Sequence, residues 1–85
     1  MRYQLDLVLR PVEGALVRII GMVERRGFGA RAITGDIQSV DGRWHLKLVV
    51  EGQRPIEALH RQLEKIYDCL SVRIIPIEAV SETAT

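Results

Sequence analysis

The sequence predicts an α+β domain, a four-stranded antiparallel sheet with two helices on one face and the element order β-α-β-β-α-β. Three observations predict it. Apolar and polar residues alternate in residues 3–9 and in Trp44–Glu51, the period of a strand with one buried face. Apolar residues recur at helical spacing in residues 14–26 and again in 56–69. Glycine, proline or an Asp-Gly pair stands between these segments wherever the chain must turn.

In the first strand Tyr3, Leu5, Leu7 and Leu9 share one face, and Gln4, Asp6 and Val8 the other. Pro11 ends it, because proline has no N–H to give to a ladder. Gly14 turns the chain into the first helix. Leu16, Ile19, Ile20 and Val23 form its apolar stripe, with Arg18, Glu24 and Arg25 on the opposite side. Gly27 suits the left-handed position that ends a helix, and Phe28 is placed to pack back over the last turn. Gly21 costs about 1 kcal/mol relative to alanine inside a helix, and a close approach of helix to sheet is the expected reason for it.

The second strand covers residues 30–38, with Gly35 marking a bulge or an edge. Residues 39–43 contain Asp41-Gly42, a strong hairpin turn. In the third strand Trp44, Leu46, Leu48 and Val50 share one face, and His45, Lys47, Val49 and Glu51 the other. Pro55 is expected at the first position of the second helix. Ile56, Leu59, Leu63, Ile66, Tyr67 and Leu70 give that helix its stripe, and it is expected to end near Cys69. Residues 71–77 form the fourth strand, with Pro76 at an edge or at the strand's end. One domain over residues 1–77 is expected, followed by a flexible tail over 78–85. Two split β-α-β units of this kind interleave into the ferredoxin-like arrangement. The second sheet face is then left without a covering element. Gln4, Asp6, His45 and Lys47 suit solvent there, while Val8 and Val49 point to a partner.

Composition narrows the function. Eighty-five residues make one domain with a small core. Such domains often gain stability by pairing with a copy or a larger partner. A net charge of +1 gives no strong pull toward nucleic acid or an acidic membrane. The densest basic cluster, Arg25, Arg26 and Arg31, reads first as decoration of a helix end. Cys69 is the one cysteine, so there is no internal disulfide or thiolate zinc site, and its apolar surroundings suit a core residue. A single free thiol and the lack of a signal peptide point to the cytoplasm.

Candidate catalytic groups are few. His45 and His60 lack a second ligand at metal spacing. Asp6 and Asp36 are candidates to face each other across neighbouring strands, without a pocket to make them an acid–base pair. No serine sits in a glycine elbow, and no phosphate loop is present. The four aromatics are too few and too core-directed for an RNA-binding sheet. The chain contains no asparagine, which argues against an acylphosphatase-like enzyme relying on an Arg–Asn pair. What remains is the loop over residues 10–14. The helix that follows it offers unpaired N–H groups and a positive dipole end to a carboxylate. A tight turn with no ligand explains Gly14 equally well.

The Gly14-Ala15-Leu16 turn and the Arg26-Gly27-Phe28 helix end resemble the ACT regulatory domain, and within it the small subunits of acetolactate synthase. That family's Gly-Ala-Leu-x-Arg run and Arg-Gly-aromatic stop are matched by residues 14–21 and 26–28. Its second-helix pattern is similar to residues 62–72, Gln-Leu-Glu-Lys-Ile-Tyr-Asp-Cys-Leu-Ser-Val. The resemblance covers residues 3 to 77 and is nearest to the short, single-domain subunits of the isozyme II type. It implies a chain without catalysis or cofactor of its own. Its partner would be a large catalytic subunit carrying thiamine diphosphate, Mg and FAD, in branched-chain amino acid biosynthesis. Homodimerisation through sheet edges or helices is implied as well. A stand-alone sensor of an amino acid is the alternative.

If an effector cleft is retained, the resemblance puts it at Val12, Glu13, Gly14, Ala15, Leu16 and Gly29, and puts Phe28, Gly29 and Arg31 near a partner surface. Valine-binding members resemble one another in having asparagine before the Gly-Ala-Leu turn and just after the Gly-aromatic stop. Here those places hold Pro11 and Gly29. Each lost hydrogen bond to a charged ligand group is worth roughly 1.5–3 kcal/mol, so a weak or absent valine response is expected.

Overall fold

The computed structural model describes residues 1–36 and 41–77. Its elements run β1 (Arg2–Leu9), α1 (Ala15–Arg25), β2 (Gly29–Asp36), β3 (Trp44–Glu51), α2 (Ile56–Glu64) and β4 (Cys69–Ile77). The sheet is antiparallel throughout, in the order β2-β3-β1-β4. This is the expected ferredoxin-like fold. β1 and β3 are central because they carry the cleanest alternation. Leu5 pairs with Leu48 and Leu7 with Leu46, and all four are buried under the helices. Ile19 and Val23 of α1 and Leu59 and Leu63 of α2 close the core from above, each with no exposed surface.

α1 ends as its sequence requires. Gly27 takes φ 89°, its N–H donates to Glu24 O at 3.1 Å, and Phe28 N–H donates to Val23 O at 3.1 Å. This doubled bond satisfies the last carbonyls and folds the Phe28 ring into the core, edge-on to Tyr3 at 6.5 Å.

Several expectations are corrected. α2 stops at Glu64, five residues before Cys69. Lys65 and Ile66 donate to Gln62 O and Leu63 O, tightening the last turn, and Cys69 instead opens β4 opposite Leu9. Tyr67, expected in the helical stripe, is 74% exposed. Pro55 is the N-cap rather than the first helical residue, because its ψ of 126° is extended. The bulge in β2 falls at Arg31, between Ala30 and Ala32, while Gly35 lies on the edge strand. A β-carbon on Gly35 would lie 2.3 Å from Leu46 Cδ2, so the glycine makes room for that core leucine. Gly21 has no such neighbour: a β-carbon there would meet only the Arg25 guanidinium, at 3.4 Å. The close approach to the sheet is therefore absent. Residues 37–38 of the expected strand, 39–40 of the turn and the tail 78–85 lie outside the described residues.

Candidate functional site

The turn between β1 and α1 is fixed from both sides. Leu9 is held in the sheet by Trp44 and Cys69. Arg10 N–H then donates to Asp68 O at 2.8 Å, and Val12 N–H reaches back over Pro11 to Arg10 O at 2.8 Å. Ala15 N–H donates to Val12 O at 3.2 Å. Gly14, the N-cap, takes φ 82°, a left-handed conformation that side chains disfavour. The first helical bond runs from Arg18 N–H to Gly14 O at 3.0 Å, and no side chain caps α1. The amides of Leu16 and Val17 therefore precede the helical ladder, at the positive end of the helix.

Arg18 folds back over this turn. Its Nη2 donates to Glu13 O at 2.9 Å, and its Nε is ion-paired with Asp68 Oδ2. A β-carbon on Gly14 would lie 2.9 Å from Arg18 Nη1, the far end of a flexible side chain that can shift, so the left-handed backbone angle is what calls for glycine here. Asp68 is 5% exposed, the buried charged residue among those described. Arg10 completes the junction. Its Nε donates to Tyr67 O at 2.9 Å and its guanidinium stacks on the Tyr67 ring, 4.2 Å from the centroid. The loops before α1 and before β4 thus form one polar unit. It carries two guanidinium groups and the N–H donors of the helix start.

Val12 and Leu16 are half-buried against the core, Ala15 is fully buried and Glu13 is exposed. Gly29 is not with them. It opens β2 opposite Glu51, level with Arg2, at the far end of α1, a helix about 16 Å long at 1.5 Å per residue. Phe28 does not lie on the surface of this chain, being 2% exposed, whereas Gly29 and Arg31 are exposed. The sequence reading missed Arg10, Arg18, Tyr67 and Asp68 as one group. Arg18 and Asp68 are fifty residues apart, and no local pattern marks them as partners.

The other candidates are dispersed. Asp6 and Asp36 do not occupy neighbouring strands: β3 separates them, with Lys47 opposite Asp6 and His45 opposite Asp36. His45 pairs with Asp41 at 3.1 Å, and His60 lies 3.4 Å from Glu64. Among the described residues no three of His, Cys, Asp or Glu are arranged to hold a metal ion. Cys69 is buried, and burial, reinforced by Glu64, pushes its thiol above the ordinary 9.0 against a smaller opposing effect of the Ser71 backbone. A shallow concavity of about 400 Å³ lies on the bare sheet face among Asp6, Val8, Thr34, His45 and Lys47. It is open to solvent, at the end of the sheet where Val8 pairs with His45. Among the described residues no helix is long and apolar enough to cross a membrane.

A fold of this order, with a glycine-opened and glycine-closed first helix, defines a class. Residues 11–72 match the ACT domain family model, and the chain belongs to the ACT domain family. It is 27% identical over 81 residues to a probable acetolactate synthase small subunit of Archaeoglobus fulgidus, covering 94% of this chain and 51% of that protein. The chain thus spans about half the length of the curated relative it matches. The acetolactate synthase small subunit of Thermotoga maritima superposes with a TM-score of 0.72 at 22% identity, over 96% of this chain and 50% of that one. The ACT domain of a GTP pyrophosphokinase from Chlorobium tepidum superposes with a TM-score of 0.70 at 17% identity, over 88% and 97%.

Proposed function

We propose that this chain is a non-catalytic regulatory subunit that binds and activates the thiamine-diphosphate-dependent large subunit of acetolactate synthase. Branched-chain amino acid biosynthesis is then its pathway. The likeness to a small subunit across 94% of the chain carries this reading. Co-expression with the large subunit of the same organism tests it: the two chains co-purify, and failure to do so contradicts the reading.

The chain acts as a homodimer in this reading. β2 is an edge strand, exposed along its length from Gly29 to Gly35, and Ile33 is 46% exposed on it. An unprotected edge of this kind invites a second strand. If two copies pair antiparallel along β2, Gly29 of one lies level with Asp36 of the other, at the end of the domain that carries the Gly14 turn. Gly29 and residues 12–16 then belong to one inter-subunit cleft. Valine feedback through that cleft is weak or absent, because Pro11 and Gly29 supply no side-chain partner.

A second reading is a stand-alone amino-acid sensor. The equally good superposition on the Chlorobium tepidum ACT domain favours it, since the fold alone serves other assemblies. Calorimetry against the twenty amino acids separates the two. Tight binding of one of them without large-subunit binding supports the sensor.

A further inference from the structure

One end of the domain collects positive charge from four elements. The N-terminal ammonium donates to Gly52 O at 3.3 Å, and Gly52 N–H returns to Met1 O at 3.0 Å. Arg2 and Arg31 share the Glu51 carboxylate, at 3.6 and 2.9 Å. Arg25 lies in the last turn of α1 and Arg26 is its C-cap. Arg54, in the loop before α2, lies across Gly27, where a β-carbon would be 2.7 Å from its Nε. Of the described carboxylates at this end, Glu24, Glu51 and Glu57, Glu51 is the one that takes arginines among the described residues. Arg25, Arg26 and Arg54 are exposed and make no ion pair among the described residues.

Helix stabilisation does not account for this. The C-terminus of α1 carries about half a negative charge, which one arginine answers. Arg54 stands immediately before the N-cap of α2, where a cation opposes the helix dipole. Packing like charges together on a chain of net charge +1 works against folding, which points to a demand from outside the chain.

We propose that Arg25, Arg26 and Arg54, backed by Arg31, form a docking surface for an acidic face of a protein partner. Resting on the function proposed above, that partner is the large catalytic subunit. A protein is favoured over nucleic acid because this end offers no exposed aromatic for base stacking. Phe28 is 2% exposed, Tyr3 is half-buried, and the exposed Tyr67 is at the other end. Guanidinium groups in such a cluster suit bidentate contact with carboxylates.

The test measures affinity for the large subunit of the same organism, with R25E/R26E/R54E compared with the equally charged control R61E/K65E/R73E. The arginine-end variant binds roughly tenfold or more weakly, mainly through slower association, and the control binds as wild type. The milder R25Q/R26Q/R54Q guards against a folding defect and shows the same direction. Wild-type affinity falls steadily between about 0.05 and 0.3 M salt, and less steeply in the variant. Wild-type binding that is insensitive both to the substitutions and to salt overturns the docking surface and leaves the proposed function standing. Absence of wild-type binding overturns that function and this inference with it. Retention of a mixed-sequence RNA by wild type but not by the variant overturns the assignment to a protein.

Discussion

Arg18, in the first turn of α1, is ion-paired with Asp68, fifty residues further on and 5% exposed. This contact ties the loop that opens α1 to the loop that opens β4, and it holds a guanidinium directly over the Gly14 turn. The shape of the turn rests on this pair and on the Arg18 contact with Glu13 O.

Removing Arg18 leaves a buried carboxylate without its partner. R18A should therefore lose about 1–3 kcal/mol of stability, with the upper part discounted because Arg18 itself is half exposed. The double variant R18A/D68A should lose less than the sum of the single losses, because the orphaned charge is then gone. Urea denaturation of the three variants measures this, and strictly additive losses would contradict the coupling.

Gly21 is a helical glycine whose added β-carbon would meet only the flexible Arg25 guanidinium, at 3.4 Å. G21A should gain about 0.5–1 kcal/mol, which in a domain of this size raises Tm by several degrees. A calorimetric scan reads it directly. A destabilised G21A would mean that the α1 surface is packed against something in the native assembly.

Cys69 has its thiol pushed above the ordinary 9.0, chiefly by burial. The folded chain should react with a thiol reagent at pH 8 far more slowly than the unfolded chain. The sign for stability follows from the same shift. The unfolded thiol ionises first, so the contribution is fully present below the unfolded value and is lost as pH rises from there through the folded one. C69A should flatten this alkaline loss in a pH series of denaturation curves.

On the proposed function, valine should inhibit the assembled enzyme weakly or not at all. A β-carbon on Gly29 would lie 3.9 Å from Glu51 O, an ordinary contact, so a side chain can start from this position. P11N/G29N should gain inhibition by valine in the same assay. If it stays insensitive, the cause lies outside these two positions.

The element order was legible because β1, β3 and α1 each carry a clean period and a glycine or proline at the boundary. The end of α2 was not. Leu63, Ile66, Tyr67 and Leu70 continue the helical stripe with no breaker among them, yet the helix stops at Glu64. The cause is distant: Asp68 is drawn to Arg18, and Cys69 and Val72 pair with β1. The turn over residues 12–16 was recognisable from Gly14 alone. Its cationic lid was not, because Arg18 reads locally as the polar side of an amphipathic helix. The family resemblance groups Gly29 with that turn, and within one chain the length of α1 keeps them apart.

The central claim is that this chain regulates a catalytic partner. The rate of acetolactate formation from pyruvate by the large subunit, measured with and without this chain, tests it most directly. The account predicts a saturable increase in rate as the chain is added, with none from the chain alone. An unchanged rate at saturating chain would contradict it.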